Sequence, residues 1–304
     1  MGFYSWAGYN GDEMTYKSIP SSNIVDISPS VIRSPKTFVM GGSLKTLTQL
    51  IKALFANQEQ GFAYDPNDLS TMYQDAAGTI PVTAAGQPVG LIRDKSGRNN
   101  HAFQTVSASR PILRKNAETG ANYLEFDGTN DFLQTANIDF TATDKVGLFA
   151  GLNRTGNANV GTVLETGSSF TNPTGGFGIR CPVGVGTDTL NLLASAGGSS
   201  VSTGEVVSPD MLVYSGFIDL SKTTAIEQIN FKVNGVLVNT TRSGLAGNGN
   251  LANVPVYIGR RAGVSRPFSG HIYGLIGIGK LVSDNETVVI EKELAKRIGV
   301  TLNV

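Results

Sequence analysis

From Gly61 to the C-terminus, apolar residues come in short runs separated by turn signals: VGLIRD, YLEFDG, KVGLFAGLNR, TVLETG, GGFGIRC, TLNLLAS, MLVYSGFIDL, INFKVNGVLVNTT, VPVYIGRR and GHIYGLIGIGKLV. In YLEFDG, Leu124 and Phe126 fall on one face of a strand while Tyr123, Glu125 and Asp127 fall on the other, the period-2 pattern of a half-buried strand. In FKVNGVLV, two alternating runs flank Asn234-Gly235, and that dipeptide specifies a two-residue hairpin turn. Ten or more short strands with few helices predict an all-β sandwich over residues 61–304. The chain closes with SDNETVVIEKELAKRIGVTL, where Ser283 or Asp284 caps a helix that runs to about Arg297 and stops at Gly299.

The first 60 residues follow a different pattern. SLKTLTQLIKALFANQEQ, residues 43–60, reads as a short amphipathic helix with Ser43 as N-cap. Leu44, Leu47, Ile51 and Leu54 make an a/d seam of about two heptads, widened by Leu50 and Phe55. Two readings stay open: the stripe packs on its own domain, or it is an oligomer seam, most naturally of a homotrimer. About two heptads do not hold a bundle unaided, so the second reading needs help from the rest of the chain. Residues 1–42, Gly- and aromatic-rich and then interrupted by three prolines in SIPSSNIVDISPSVIRSPK, predict an extended arm that orders against something else. Tyr4, Trp6 and Tyr9 are its anchor candidates, because buried aromatics dominate interface energies.

Composition narrows the classes. Charged residues are 16% of the chain, below the roughly 25% of ordinary soluble domains, and 37 glycines suit many tight turns. The formal net charge is zero, so an electrostatic appetite for nucleic acid or an anionic membrane has no support. One cysteine, Cys181, excludes an internal disulfide and a thiolate metal cluster. The N-terminus lacks the basic and apolar regions of a signal peptide, and no apolar run is long enough to span a bilayer. The expectation is a chain made in a cytoplasm with no membrane insertion.

The stretch DKSGRNNHAFQ, Asp94–Gln104, gathers an acid, a base, a histidine and two asparagines. Asp94-Lys95-Ser96-Gly97 has turn chemistry, with Asp first and Gly last. Asp94, Asp127, Asn130 and Asp131 are hard oxygen donors on loops, which makes them calcium candidates, although DGTND lacks the spacing of an EF-hand. The competing reading is ordinary turn hydrogen bonding. His101 and His271 have no nucleophile and orienting group at a recognisable spacing and read as structural, as does Cys181 as a small buried filler. Arg260, Arg261 and Arg266 form a basic cluster that either pairs locally or meets an anionic glycan or partner.

The series DPNDLSTMYQDAAGTIPVTAAGQPVGLIRDKSGRNNHAFQ, then RPIL, then YLEFDGTNDFL resembles the opening of concanavalin A-like jelly-roll domains found in bacteriophage virion proteins. The ending, with a hairpin carrying VNG, then VYIGRRAG, and a capped helix finishing in RIGVTL, resembles it too. The likeness covers about residues 62–304. It implies a virion structural protein, a fibre or a head or tail appendage assembled in the host cytoplasm. Its sandwich faces outward to bind host surface glycan, and residues 1–60 meet other virion proteins. A sandwich that only decorates or adapts the particle is the alternative. Retaining glucanases of the same fold carry Glu-x-Asp-x-Glu on one strand; here Glu125 and Asp127 are followed by Thr129, so the carboxylate pair that mechanism needs is missing and no enzyme is expected. No cofactor is expected beyond the calcium candidate.

Overall fold

The computed structural model describes residues 46–303 throughout and, as backbone, the strands Tyr4–Asn10 and Glu13–Ser18. Those two strands pair antiparallel, so part of the segment expected to be irregular is a hairpin. The side chains of Tyr4, Trp6 and Tyr9, together with Ser43 and Leu44, lie outside the described residues.

Residues from Lys45 onward form one compact unit, an all-β jelly-roll sandwich of two antiparallel sheets. The eight-stranded sheet runs in the order Val236–Leu237, Ile229–Val233, Met211–Asp219, Lys145–Arg154, Ser269–Ile278, Asn122–Asp127 and Ile112–Lys115, with Gly61–Tyr64 also paired to Ser269–Ile278. The eleven-stranded sheet has Thr162–Thr166 and Phe177–Arg180 near its middle, flanked by Thr189–Ala196 on one side and Asn253–Ile258 on the other.

Alternation decides what each strand buries. On Lys145–Arg154, Val146, Leu148, Ala150 and Leu152 point between the sheets with Phe126, Phe177 and Phe231, while Phe149 points outward. Asn234 and Gly235 both take positive φ (50° and 84°), as the two-residue turn requires, and Asn234 Oδ1 accepts from the Val213 amide at 2.8 Å.

The outer face of the eight-stranded sheet carries a second core under helix α1 (Leu47–Leu54) and helix α3 (Asp284–Ile298); the single helical turn α2 (Ala225–Gln228) lies elsewhere. Helix α3 has the expected ends: a capping box between Ser283 and Glu286, and Gly299 left-handed at φ 89°. Two glycines let it lie close. A Cβ at Gly151 would sit 3.0 Å from the Ile298 Cδ1, and one at Gly274 would sit 3.0 Å from the Leu294 Cδ2.

Helix α1 departs from expectation twice. It starts three residues later than predicted, because Thr46 and Gln49 make a reciprocal capping box. Its seam is also already covered: Leu47, Ile51 and Leu54 are 1%, 1% and 2% exposed against Ala63, Tyr273 and Ile276 of the sheet and residues of α3. The oligomer-seam reading of these three leucine and isoleucine side chains is therefore corrected, and α1 belongs to the sandwich unit. Lys280 fixes its end by donating to the Leu54 carbonyl at 2.8 Å and to Glu59 at 2.7 Å. Ile51→Val is expected to lower stability by about 0.5–1.5 kcal/mol, by an amount that does not change with protein concentration in denaturant titrations. A concentration-dependent loss would restore the intermolecular seam.

Candidate functional site

Asp94 is the hub of its loop. Its Oδ1 accepts from the Ala63 and Ser96 amides, both at 2.8 Å; its Oδ2 accepts from Ser96 Oγ at 2.5 Å and the Asn100 amide at 3.0 Å. Its own amide donates to His101 Nδ1 at 3.0 Å, so this histidine is structural, as expected. Lys95 reaches from the same turn to Asp68 at 2.7 Å and to Thr48 of α1 at 2.7 Å. The loop thus joins Gly61–Tyr64 and α1 to the sandwich.

The calcium assignment does not survive. Both Asp94 oxygens already have two protein donors each. Asp127 Oδ1 caps its own turn by accepting from the amides of Thr129 at 2.8 Å and Asn130 at 3.1 Å. Asn130 Nδ2 donates to the Ala108 carbonyl at 2.8 Å, and Asp131 Oδ2 accepts from the Asp127 amide at 3.1 Å. Among the described residues, no group of three or more His, Cys, Asp or Glu side chains could hold a metal ion. Asp94, Asp127, Asn130 and Asp131 are turn-forming groups.

Two of those loop residues, Asp127 and Asp131, do border an open groove of about 560 Å³, with lining that also includes Arg110, Arg114, Glu125 and Ser269. Glu125 and Asp127 arrive by the period-2 rule from Asn122–Asp127, and Arg114 crosses from the edge strand Ile112–Lys115 to bond Glu125 at 2.6 Å. The Asn122–Asp127 and Ser269–Ile278 pairing sets Asp127 opposite Ser269 and Glu125 opposite His271. Ser269 Oγ lies 3.2 Å from Thr155 Oγ1. Arg110 is held at the rim by the carbonyls of Gln104 and Thr105, each at 3.2 Å.

Electrostatics divide the carboxylates. Burial, then the charge of Asp127 and more weakly that of Glu125, pushes the Asp131 carboxyl up to about 7. His271 is stacked on Tyr123 with ring centroids 4.1 Å apart and meets Asn153 at 3.2 Å; burial lowers its pKa. Sequence reasoning found Glu125, Asp127 and Asp131 but missed Arg110, Arg114, Thr155 and Ser269, which only the folded topology brings to the groove. Cys181 is buried among core residues, and burial pushes its thiol up to about 11, which suits a filler. Of the basic cluster, Arg261 pairs bidentately with the fully buried Glu165 at 2.6 and 2.7 Å, and Arg260 bonds the Val264 carbonyl at 3.1 Å.

No family model matches this sequence, and no curated protein matches it. Among solved structures, the chain is similar to a botulinum neurotoxin type C structure at 9% identity and TM-score 0.49, over 78% of this chain and 52% of that one. It is similar to the binding domain of botulinum neurotoxin DC in complex with SialylT at 10% identity and TM-score 0.45, over 76% and 52%. It is also similar to an arabinofuranosidase complexed with arabinofuranosyl-alpha-1,2-xylobiose at 12% identity and TM-score 0.44, over 69% and 51%. The chain spans about half the length of these solved chains.

Proposed function

We propose that this chain is a non-enzymatic, glycan-binding structural protein of a bacteriophage virion, with the sandwich displayed outward and residues 1–42 as its attachment. The observation that supports glycan binding is the groove itself. It offers guanidinium donors, carboxylate acceptors and paired hydroxyls on one open surface, the mixture that vicinal sugar hydroxyls need. The virion context rests on the sequence resemblance. Binding at one such open site is expected to be weak, and multiple copies on a particle gain avidity without new contacts.

Glycan-array binding to host surface polysaccharides tests this reading. Arg114→Ala and Glu125→Gln remove an exposed pair (46% and 35% exposed) that the fold does not need, and each is expected to weaken binding by at least roughly tenfold. An array on which the intact protein binds no host polysaccharide sinks the glycan claim and leaves the decoration or adaptor reading.

One observation favours a second reading. Asp131, with its raised pKa, is a candidate proton donor beside the carboxylates of Asp127 and Glu125, the division of labour that glycoside hydrolases use. Against it, Glu125 is paired with Arg114, and Asp127 spends one oxygen on its turn. Release of reducing sugar from a bound polysaccharide, abolished in Asp131→Asn, would decide for the enzyme.

A further inference from the structure

A second polar cluster, on the other sheet, is unexplained by the groove. Thr162, Arg180 and Asn191 sit side by side across three adjacent strands, Thr162 opposite Arg180 and Arg180 opposite Asn191. Their neighbours Ile179, Leu190 and Leu192 point into the core, so alternation turns this row outward. Val163 is the extra residue of a bulge between Thr162 and Leu164, which reorients Thr162 relative to the rest of its strand.

Each member of the row carries a buried polar atom with no hydrogen-bond partner among the described residues: Thr162 Oγ1, Arg180 Nε and Asn191 Oδ1. Thr162 is 0% exposed and Asn191 5%. Buried polar atoms in native proteins are nearly always satisfied, and three orphans in one row point to an external partner.

The charge pattern gives that partner's sign. Arg180, Arg261 and Arg266 surround one carboxylate, Glu165, which is engaged by Arg261 and by the Phe170 amide at 2.9 Å. Arg180 reaches Glu165 only at 3.9 Å, although its side chain is just 14% exposed. Arg266 is attached to the row through its carbonyl, which accepts from the Thr162 amide at 3.0 Å, and it holds positive φ at 54°. Burial, with Arg266 and Arg261 nearby, holds Arg180 down at about 10, the mark of a guanidinium short of negative charge. The Phe170 ring lies under it, 5.3 Å from its guanidinium carbon.

We propose that this row is a second binding site, for an oxyanion such as the carboxylate of an acidic sugar, held by the guanidiniums of Arg180 and Arg266, with the buried Thr162 and Asn191 supporting Arg180 from the strands on either side. A planar guanidinium engages an oxyanion through two parallel hydrogen bonds. Without an anion the site stores unfavourable charge, so stability and binding should move in opposite directions here.

Calorimetric titration of the full chain with galacturonate, galactose and inorganic sulfate tests the proposal, with thermal unfolding measured in parallel. Galacturonate is expected to bind and galactose not to. Binding should weaken at least roughly tenfold in Arg180→Gln and by less in Thr162→Val. Arg180→Lys should not rescue it, since an ammonium lacks the fork. In anion-free buffer Arg180→Gln should unfold at the same temperature as the parent or higher. Sulfate binding as tightly as galacturonate would identify the ligand as the free oxyanion and keep the site. The proposal is overturned by any of three results: no binding of either anion up to roughly 10 mM, equal binding of galactose, or undiminished anion binding in Arg180→Gln. A lower unfolding temperature of Arg180→Gln without anion would make the guanidinium structural and also overturn it. Array results for Arg114→Ala do not bear on this site.

Discussion

Asp94→Ala is expected to cost about 3–5 kcal/mol of folding stability, with little change in the denaturant dependence of unfolding. The substitution strands the Ala63, Ser96 and Asn100 amides and the Ser96 hydroxyl, all of which donate to this one side chain. A buried donor left without an acceptor costs about 1–3 kcal/mol, and water that reaches part of the loop reduces the sum below four full penalties. Native domains are stable by about 5–15 kcal/mol, so the loss is a large share of the whole. Asp94→Asn keeps one oxygen and turns an amide NH₂ toward donors, and about half the loss is expected. Urea titration of the three proteins measures both. Adding calcium should leave the parent unfolding temperature unchanged, since the carboxylate has no free oxygen for it; a rise with calcium would return Asp94 to a metal site. A cost below about 1 kcal/mol would show that the loop does not depend on this hub.

This hub was half legible in the sequence. Asp94 at the first and Gly97 at the last position announce a turn, and the structure has that turn, with Gly97 at φ 84°. The long reach to Ala63 was not legible, because nothing local encodes a contact over 31 positions. The same division runs through the fold. A strand such as Asn122–Asp127 could be read because a two-residue period records which face is buried, and α3 because Ser283, Glu286 and Gly299 mark its ends. Gly61–Tyr64 is apolar on both faces and buried at every position, so it has no period to read. The stripe of Leu47, Ile51 and Leu54 was visible, but a stripe records only that something covers it. Whether the cover is Tyr273 and Ile276 of the same chain or a second copy depends on topology.

The groove shows why sites are less legible than folds. Glu125 and Asp127 come from one strand and could be placed together by counting. Arg114, Thr155 and Ser269 come from three other segments, brought in by pairings that the sequence leaves open. Asp131 lies two positions beyond Thr129, past the turn and out of the strand's register. The Asp127 amide folds it back into the groove, so the third carboxylate that the strand lacks at Thr129 arrives from the loop.

That return gives the second large effect. Folding raises the Asp131 carboxyl from its ordinary 3.8 to about 7, because burial and then the Asp127 charge disfavour ionisation, with Glu125 adding a little. Between those values the folded state holds a proton that the unfolded state has released. The stabilisation is therefore fully present below about pH 4, falls as pH rises, and is gone above about pH 7. At one pKa unit per 1.36 kcal/mol the swing reaches up to roughly 4 kcal/mol, reduced by whatever the rim guanidiniums of Arg110 and Arg114 screen. Asp131→Asn keeps the acceptor for the Asp127 amide and removes the titration. It is expected to flatten the stability profile between about pH 4 and 7 and to leave the variant more stable than the parent at pH 8. If the groove binds neutral glycan through a protonated Asp131, parent affinity should fall over the same pH range while the variant's stays constant. Denaturant titrations and glycan binding at matched pH values read both. Parallel stability profiles for parent and variant would mean that Asp131 ionises normally, and the hydrolase reading would lose its proton donor with it.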